Sequence, residues 1–342
     1  MFDQTIPAPN REYVQGNLCS ILLSDLSKMR QSARFFTWQM KLASQAKNHD
    51  RAMQAWQRSE RIVEYLMQEK SLIGSLVMIA LETIRLEGLE YMLAAGFLSD
   101  QELESIQKYL LKSAGKMPEV NRNALYFEAV FGTDTLIGMA KGAVRNNGRI
   151  MHEGLAGYRF LVPGLWYLGM KNYSSLLKFY NKKNLCQADE KIERNSYNIF
   201  SCMLIPALKS GGERMHDMEM RYQAFYALLE AIKIKRTTGK YPAELPVKIT
   251  DYFSGKPLLY KAGSFDVQAV KLVERKKSAD DGEWFNSNRK YESDYTYKAP
   301  AVQGIAVWSV GRNKVNDHGA VGRIDVDGKT VRCDDIRALL KL

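Results

Sequence analysis

Cysteine is scarce in this chain of 342 residues, with four in all, and Cys19, Cys186, Cys202 and Cys333 stand far apart. No C-x-x-C pair exists, which excludes a zinc ribbon and a thioredoxin-type motif and leaves disulfides and buried thiols both open. Histidine is equally sparse: His49, His152, His216 and His318 form no HExxH array. There is no G-x-S-x-G, no P-loop and no G-x-G-x-x-G. Long apolar runs are missing too. Phe160–Met170, the best candidate, is shorter than the roughly 18 residues of a membrane span and carries Pro163 and Gly164. The opening MFDQTIPAPNREY lacks a basic segment followed by an apolar one, so no secretory signal is expected in it. Hydrophobic content of 46% and charged content of 25% fit a folded globular protein.

Net charge is +11 and the pI about 9.3. A concentrated excess would suggest nucleic acid or an anionic membrane surface. Here the excess is shared between residues 1–200 and 201–342, and the tightest clusters, Lys233–Arg236 and Arg275–Lys277, are short. A solvated basic surface is the expectation, with no nucleic-acid partner.

Helical periodicity dominates the first 200 residues. Leu22, Leu26, Met29, Ala33, Phe36 and Met40 advance by three or four and form one stripe. Further helices are expected over 50–68, over 71–95 ending at Gly96, after Ser99, and over 121–141. Ser99 and Glu102 have the spacing of a capping box, and Leu103, Ile106 and Leu110 supply the buried face behind it. Glycines and Pro163 break up residues 145–200, which read as a loop-rich connection. The N-terminal 200 residues are therefore expected to be an all-α bundle or array.

After Gly211 the pattern changes. A long helix is expected with the stripe Met218, Tyr222, Phe225, Leu229 and Ile232, a left-handed Gly239 just past its end and Pro242 beyond. Strands are expected over 257–260, 267–273, 295–297 and 304–310. Asp327-Gly328 between alternating arms predicts a two-residue hairpin; the same hairpin accounts for Asp325 and Asp327, which lack the twelfth-position Glu of an EF-hand. A short final helix is expected over 335–340, capped by Asp334. The fold class is thus α+β: a helical region at 1–200, then a long helix with a small antiparallel sheet at 201–342.

The later motifs, in order, are "ALLEAIKIKRTTGKYPAELP", "DYFSGKPLLY", "IAVWSVGRNKVNDHG" and "DDI". Through Gly239, Tyr241 and Pro242, then Asp251, Gly255, Pro257 and Tyr260, then Ser309, Gly311 and Asn313, and finally Asp334, Asp335 and Ile336, the C-terminal part resembles the globular domain of type II secretion major pseudopilins. As a whole, the chain is similar to uncharacterised bacterial envelope proteins with a helical N-terminal region before such a module. The matching helix lies internally, after residue 200, where a pseudopilin would have an N-terminal anchor. The resemblance implies a long helix packed on an antiparallel sheet, a cell-envelope or periplasmic location, and a protein partner. It also implies calcium, held near the loop after Ser309 by Asn313, Asp317, Asp334 and Asp335, with Asn316 as a further oxygen. A hard cation wants six to eight oxygens. The alternative is that Asn and Gly serve as turn residues while Asp334 caps. For function, the expectation is a non-catalytic envelope interaction or assembly protein. The alternative is a hydrolase or transferase with its site between the two domains, near Glu128, His152 and Glu153. Glu128 itself, amid apolar residues, is expected to be a buried, ion-paired carboxylate.

Overall fold

A computed structural model of the chain describes residues 24–144, 171, 199–265, 302–312, 314, 316, 321–326, 329–334 and 336–341. These residues form an α+β protein. Five helices are described: α1 (Ser24–Gln45), α2 (His49–Met67), α3 (Leu72–Ala95), α4 (Asp100–Val144) and α5 (Ile199–Thr238). Five strands follow: β1 (Leu259–Phe265), β2 (Val302–Ser309), β3 (Val321–Val326), β4 (Lys329–Asp334) and β5 (Ile336–Lys341). The chain divides into two compact units, a helical one (residues 1–97 and 115–218) and a sheet-containing one (98–114 and 219–342).

Local chemistry sets the ends of the helical elements. Asn48 caps α2 by accepting the Arg51 amide, and Ser71 caps α3 by accepting the Gly74 amide. α3 stops at Gly96, whose φ of 70° is the left-handed conformation that glycine adopts without steric cost. The Ser99–Glu102 capping box forms as its spacing predicts: Glu102 N–H donates to Ser99 Oγ, and Ser99 N–H donates to the Glu102 carboxylate at 2.8 Å.

In the helical unit, Leu26, Ala33, Met40 and Ala43 of α1 are buried, as are Trp56, Val63 and Leu66 of α2 and Met78, Leu81, Leu86 and Met92 of α3. Among the described residues, a buried ion pair interrupts this apolar interior. Glu82 and Arg85 are both fully buried, and Arg85 Nη1 donates to both Glu82 carboxylate oxygens at 2.8 Å. The guanidinium lies over the Trp56 ring, 3.5 Å from its centroid, and Glu60 approaches Nη2 at 3.7 Å. Stacking on an aromatic face and a bidentate carboxylate offset the cost of desolvating the charge.

The sheet runs β1-β2-β5, antiparallel throughout, with Leu259 opposite Trp308 and Ile305 opposite Leu340. Ala306, Trp308 and Leu339 cluster on one face with Leu259, while Ile305, Val307, Ala338 and Leu340, which point the other way, are also buried. β3 and β4 form a separate antiparallel hairpin with Val326 opposite Lys329; residues 327–328, where the turn is expected, lie outside the described residues. The helical stripe Met218, Tyr222, Phe225, Leu229 and Ile232 is buried along its whole length.

Three expectations are corrected. The separate helices after Ser99 and over 121–141 are one continuous helix, α4, with Pro118 inside it. Proline costs about 3 kcal/mol in a helix interior, but Ala114, Met117, Val120 and Ala124 carry the buried stripe across it, and Pro118 itself faces out. The long helix begins at Ile199 rather than near Gly211. Gly211 serves close packing, since a Cβ there would meet Leu72 Cδ1 at 2.6 Å. The final helix over 335–340, and with it the capping role of Asp334, is replaced by strand β5. "IRALLK" has good helix formers, but pairing with β2 buries Ala338, Leu339 and Leu340, and tertiary context overrides propensity. The strands expected over 267–273 and 295–297 and most of the loop-rich connection at 145–200 lie outside the described residues.

Arg85→Met, which strands Glu82 in the interior, is expected to destabilise the protein by roughly 3–5 kcal/mol, and Glu82→Met/Arg85→Met to recover most of that loss. Urea unfolding measures both; a single substitution costing less than about 1 kcal/mol contradicts a buried, mutually dependent pair.

Candidate functional site

In the sheet unit, the turn after α5 and the end of β2 meet at Asp251. The segment after α5 folds back through an antiparallel bridge between Thr250 and Pro257. Asp251 N–H donates to Lys256 O, Gly255 N–H donates to Asp251 O, and Leu258 N–H donates to Ile249 O. Gly255 closes this turn with φ of 68°. The Asp251 side chain is thereby held inside the protein with 1% of its surface exposed.

Its carboxylate has four donors. Oδ1 accepts from Phe253 N–H at 2.9 Å and from Ser309 Oγ at 2.8 Å. Oδ2 accepts from Ser254 Oγ at 3.0 Å and from Val310 N–H at 3.1 Å. Ser309 Oγ in turn accepts from Gly311 N–H at 3.1 Å. One buried carboxylate thus ties the turn at 251–257 to the end of the central strand β2, more than fifty residues later. Charge-assisted bonds of this kind are about twice as strong as neutral ones, and their number satisfies the buried oxygens.

The other motif residues brace the same region. Gly239 adopts φ of 79° and ends α5. Lys235 Nζ donates to Tyr241 Oη at 3.2 Å and lies 4.4 Å from the centre of that ring. Tyr260 Oη donates to Pro242 O at 3.0 Å; burial, and secondarily Tyr241, pushes its phenol above the usual value, which keeps the donor protonated. On the loop after β2, Trp308 Nε1 donates to Asn316 Oδ1 at 3.1 Å. Asn316 therefore serves the indole of the neighbouring strand.

The proposed cation ligands fare differently. Asp334 is the last residue of β4, paired with Val321 in the hairpin. Asn313, Asp317 and Asp335 lie outside the described residues, as do His152, Glu153 and His318. Among the described residues, no group of three His, Cys, Asp or Glu is placed to hold a metal. His49 is hydrogen-bonded through Nδ1 to Asp50 at 3.0 Å and packs edge-on against Phe97, while His216 is buried on α5.

Glu128 accepts the Leu72 amide at 3.1 Å. Burial pushes its carboxyl above the ordinary value, and that backbone bond draws it down by less. The Glu69 carboxylate accepts Ser71 N–H at 3.3 Å, so Ser71, Glu69 and Glu128 together satisfy amides at the start of α3. Sequence reasoning missed Asp251 as the centre of the arrangement. Its motif position was visible, but nothing local announced that Ser309 and the amide of Val310 would be its partners.

Comparison with known proteins returned no matching family model, no matching curated protein and no matching solved structure.

Asp251→Ala leaves the Ser309 hydroxyl and the Val310 amide buried without their acceptor, at a cost of about 3 kcal/mol or more. Ser309→Ala is expected to cost about 1 kcal/mol. Urea unfolding distinguishes them, and equal, small effects would contradict the central place of the carboxylate. Because Asp251 and the Trp308–Asn316 bond already anchor the loop after β2, the thermal midpoint is expected to be the same in millimolar calcium and in chelator. A calcium-dependent rise would place a cation among Asn313, Asp317, Asp334 and Asp335, since a ligand bound only by the folded state raises its stability.

Proposed function

We propose that this chain is a non-catalytic bacterial cell-envelope protein serving interaction or assembly, and that residues 201–342 form a pseudopilin-like module. The observation that carries the reading is the use made of the motif residues. Asp251 is saturated by four donors, Ser309 and Gly311 complete its network, Gly239 and Gly255 take turn conformations, and Tyr260 secures Pro242. A catalytic acid or base needs an open approach to a proton on its substrate. A carboxylate so enclosed acts as a staple, which suits a rigid unit that presents a surface to a protein partner. The order of a long helix, a braced turn and a three-stranded antiparallel sheet supports the resemblance, which rests on the motif residues.

The test is cell fractionation of the full-length gene product combined with cross-linking in intact cells. The protein is expected in the periplasmic or envelope fraction, cross-linked to a discrete protein partner, and Asp251→Ala is expected to lose that cross-link. A purely cytosolic protein, or one that cross-links to no partner, overturns the proposal.

A further inference from the structure

The first helix has two apolar faces, and the protein interior uses one. Leu26, Ala33, Met40 and Ala43 are buried, and α1 packs against both α2 and α3. On the other side stand Phe35, Trp38 and Leu42, spaced by three and four residues and therefore on one stripe. They are 58%, 67% and 46% exposed. Exposed single apolar residues are ordinary, but two aromatics and a leucine aligned along two turns are a patch.

Along α1 itself the charge beside this patch has one sign, whereas α3 carries an exposed Glu87 four residues before Tyr91. From Leu26 to His49 the chain carries Lys28, Arg30, Arg34, Lys41 and Lys47, and no Asp or Glu. Arg34 and Lys41 flank the stripe, one residue before Phe35 and one before Leu42. Lys28, Arg30 and Arg34 are exposed, and among the described residues none of these three nor Lys41 is in an ion pair. Lys41 lies 4.9 Å from the ring centre of Tyr91, which extends the aromatic surface onto α3 and is itself 40% exposed. Trp and Tyr beside Lys and Arg are the residues that settle at the headgroup level of a bilayer, with the ring toward the acyl chains and the cation on phosphate.

We propose that the outer face of α1 docks on an anionic lipid surface. Phe35, Trp38 and Leu42 enter the headgroup layer, and Lys28, Arg30, Arg34 and Lys41 contact lipid phosphates. The charge complementarity is the argument for this occupant. A single convex helix face also meets a lipid surface without the groove that a protein partner would have to supply. No described helix is long and apolar enough to cross a membrane, so the contact is a peripheral one. The proposal concerns the helical unit alone and does not depend on the pseudopilin-like reading of the sheet unit.

The experiment is co-sedimentation of the full chain with vesicles of phosphatidylglycerol and phosphatidylcholine, against vesicles of phosphatidylcholine alone. Binding to the anionic vesicles is expected to be at least tenfold tighter and to weaken in 0.5 M salt. Phe35→Ser/Trp38→Ser and, separately, Arg34→Glu/Lys41→Glu are each expected to reduce it at least tenfold while leaving the thermal midpoint in place. Bromolipid quenching of tryptophan fluorescence, lost in Trp38→Phe, reads the same insertion should a double variant fail to fold. Absence of wild-type binding, binding unchanged in the variants, or no bromolipid quenching overturns the proposal. So does a concentration-dependent dimer in vesicle-free solution that Phe35→Ser/Trp38→Ser abolishes, which would assign the face to a second copy.

Discussion

The Asp251 carboxylate is the constraint on which the sheet unit depends. Two loops far apart in sequence must meet at the end of a central strand, and both bring backbone amides, that of Val310 buried and that of Phe253 half-buried. A single anionic side chain with two oxygens accepts from each loop twice. Removing it would leave several buried donors unsatisfied together, which is why the arrangement behaves as one unit rather than as separable bonds. The neighbouring braces, Tyr260 on Pro242 and Trp308 on Asn316, extend the same solution to the loops on either side.

The helical unit meets its polar demands differently. In its largely apolar interior Arg85 Nη1 donates to both Glu82 oxygens and the guanidinium stacks on Trp56, while Ser44, Ser59 and Ser75 are buried as well. At the start of α3, Ser71, Glu69 and Glu128 supply oxygens to amides that have no partner within the helix. Glu128 thus has a structural occupation. The pull of burial and the opposing pull of the Leu72 amide describe a carboxylate fitted to a helix terminus.

The tempting reading of a +11 chain is a diffuse basic surface, and over whole halves of the sequence that is what the numbers give. Which side of α1 its cations take emerges only when the helix is placed, because burial of Leu26, Ala33 and Met40 decides which way Arg34 and Lys41 face. A linear count averages over faces; a folded helix separates them.

By itself the sequence determined the features that rest on short-range physics: the stripes of α1 and α5, the Ser99–Glu102 capping box, the left-handed stops at Gly96 and Gly239, and the hairpin that sets Val326 opposite Lys329. In each, the responsible groups lie within a few residues of one another, so spacing and side-chain chemistry suffice. Tertiary structure alone decided that α4 runs on through Pro118, that residues 336–341 pair with β2 instead of forming a helix, and that Asp251 meets Ser309. Those outcomes turn on burial against distant partners, whose energy exceeds local preference and leaves no mark in neighbouring residues.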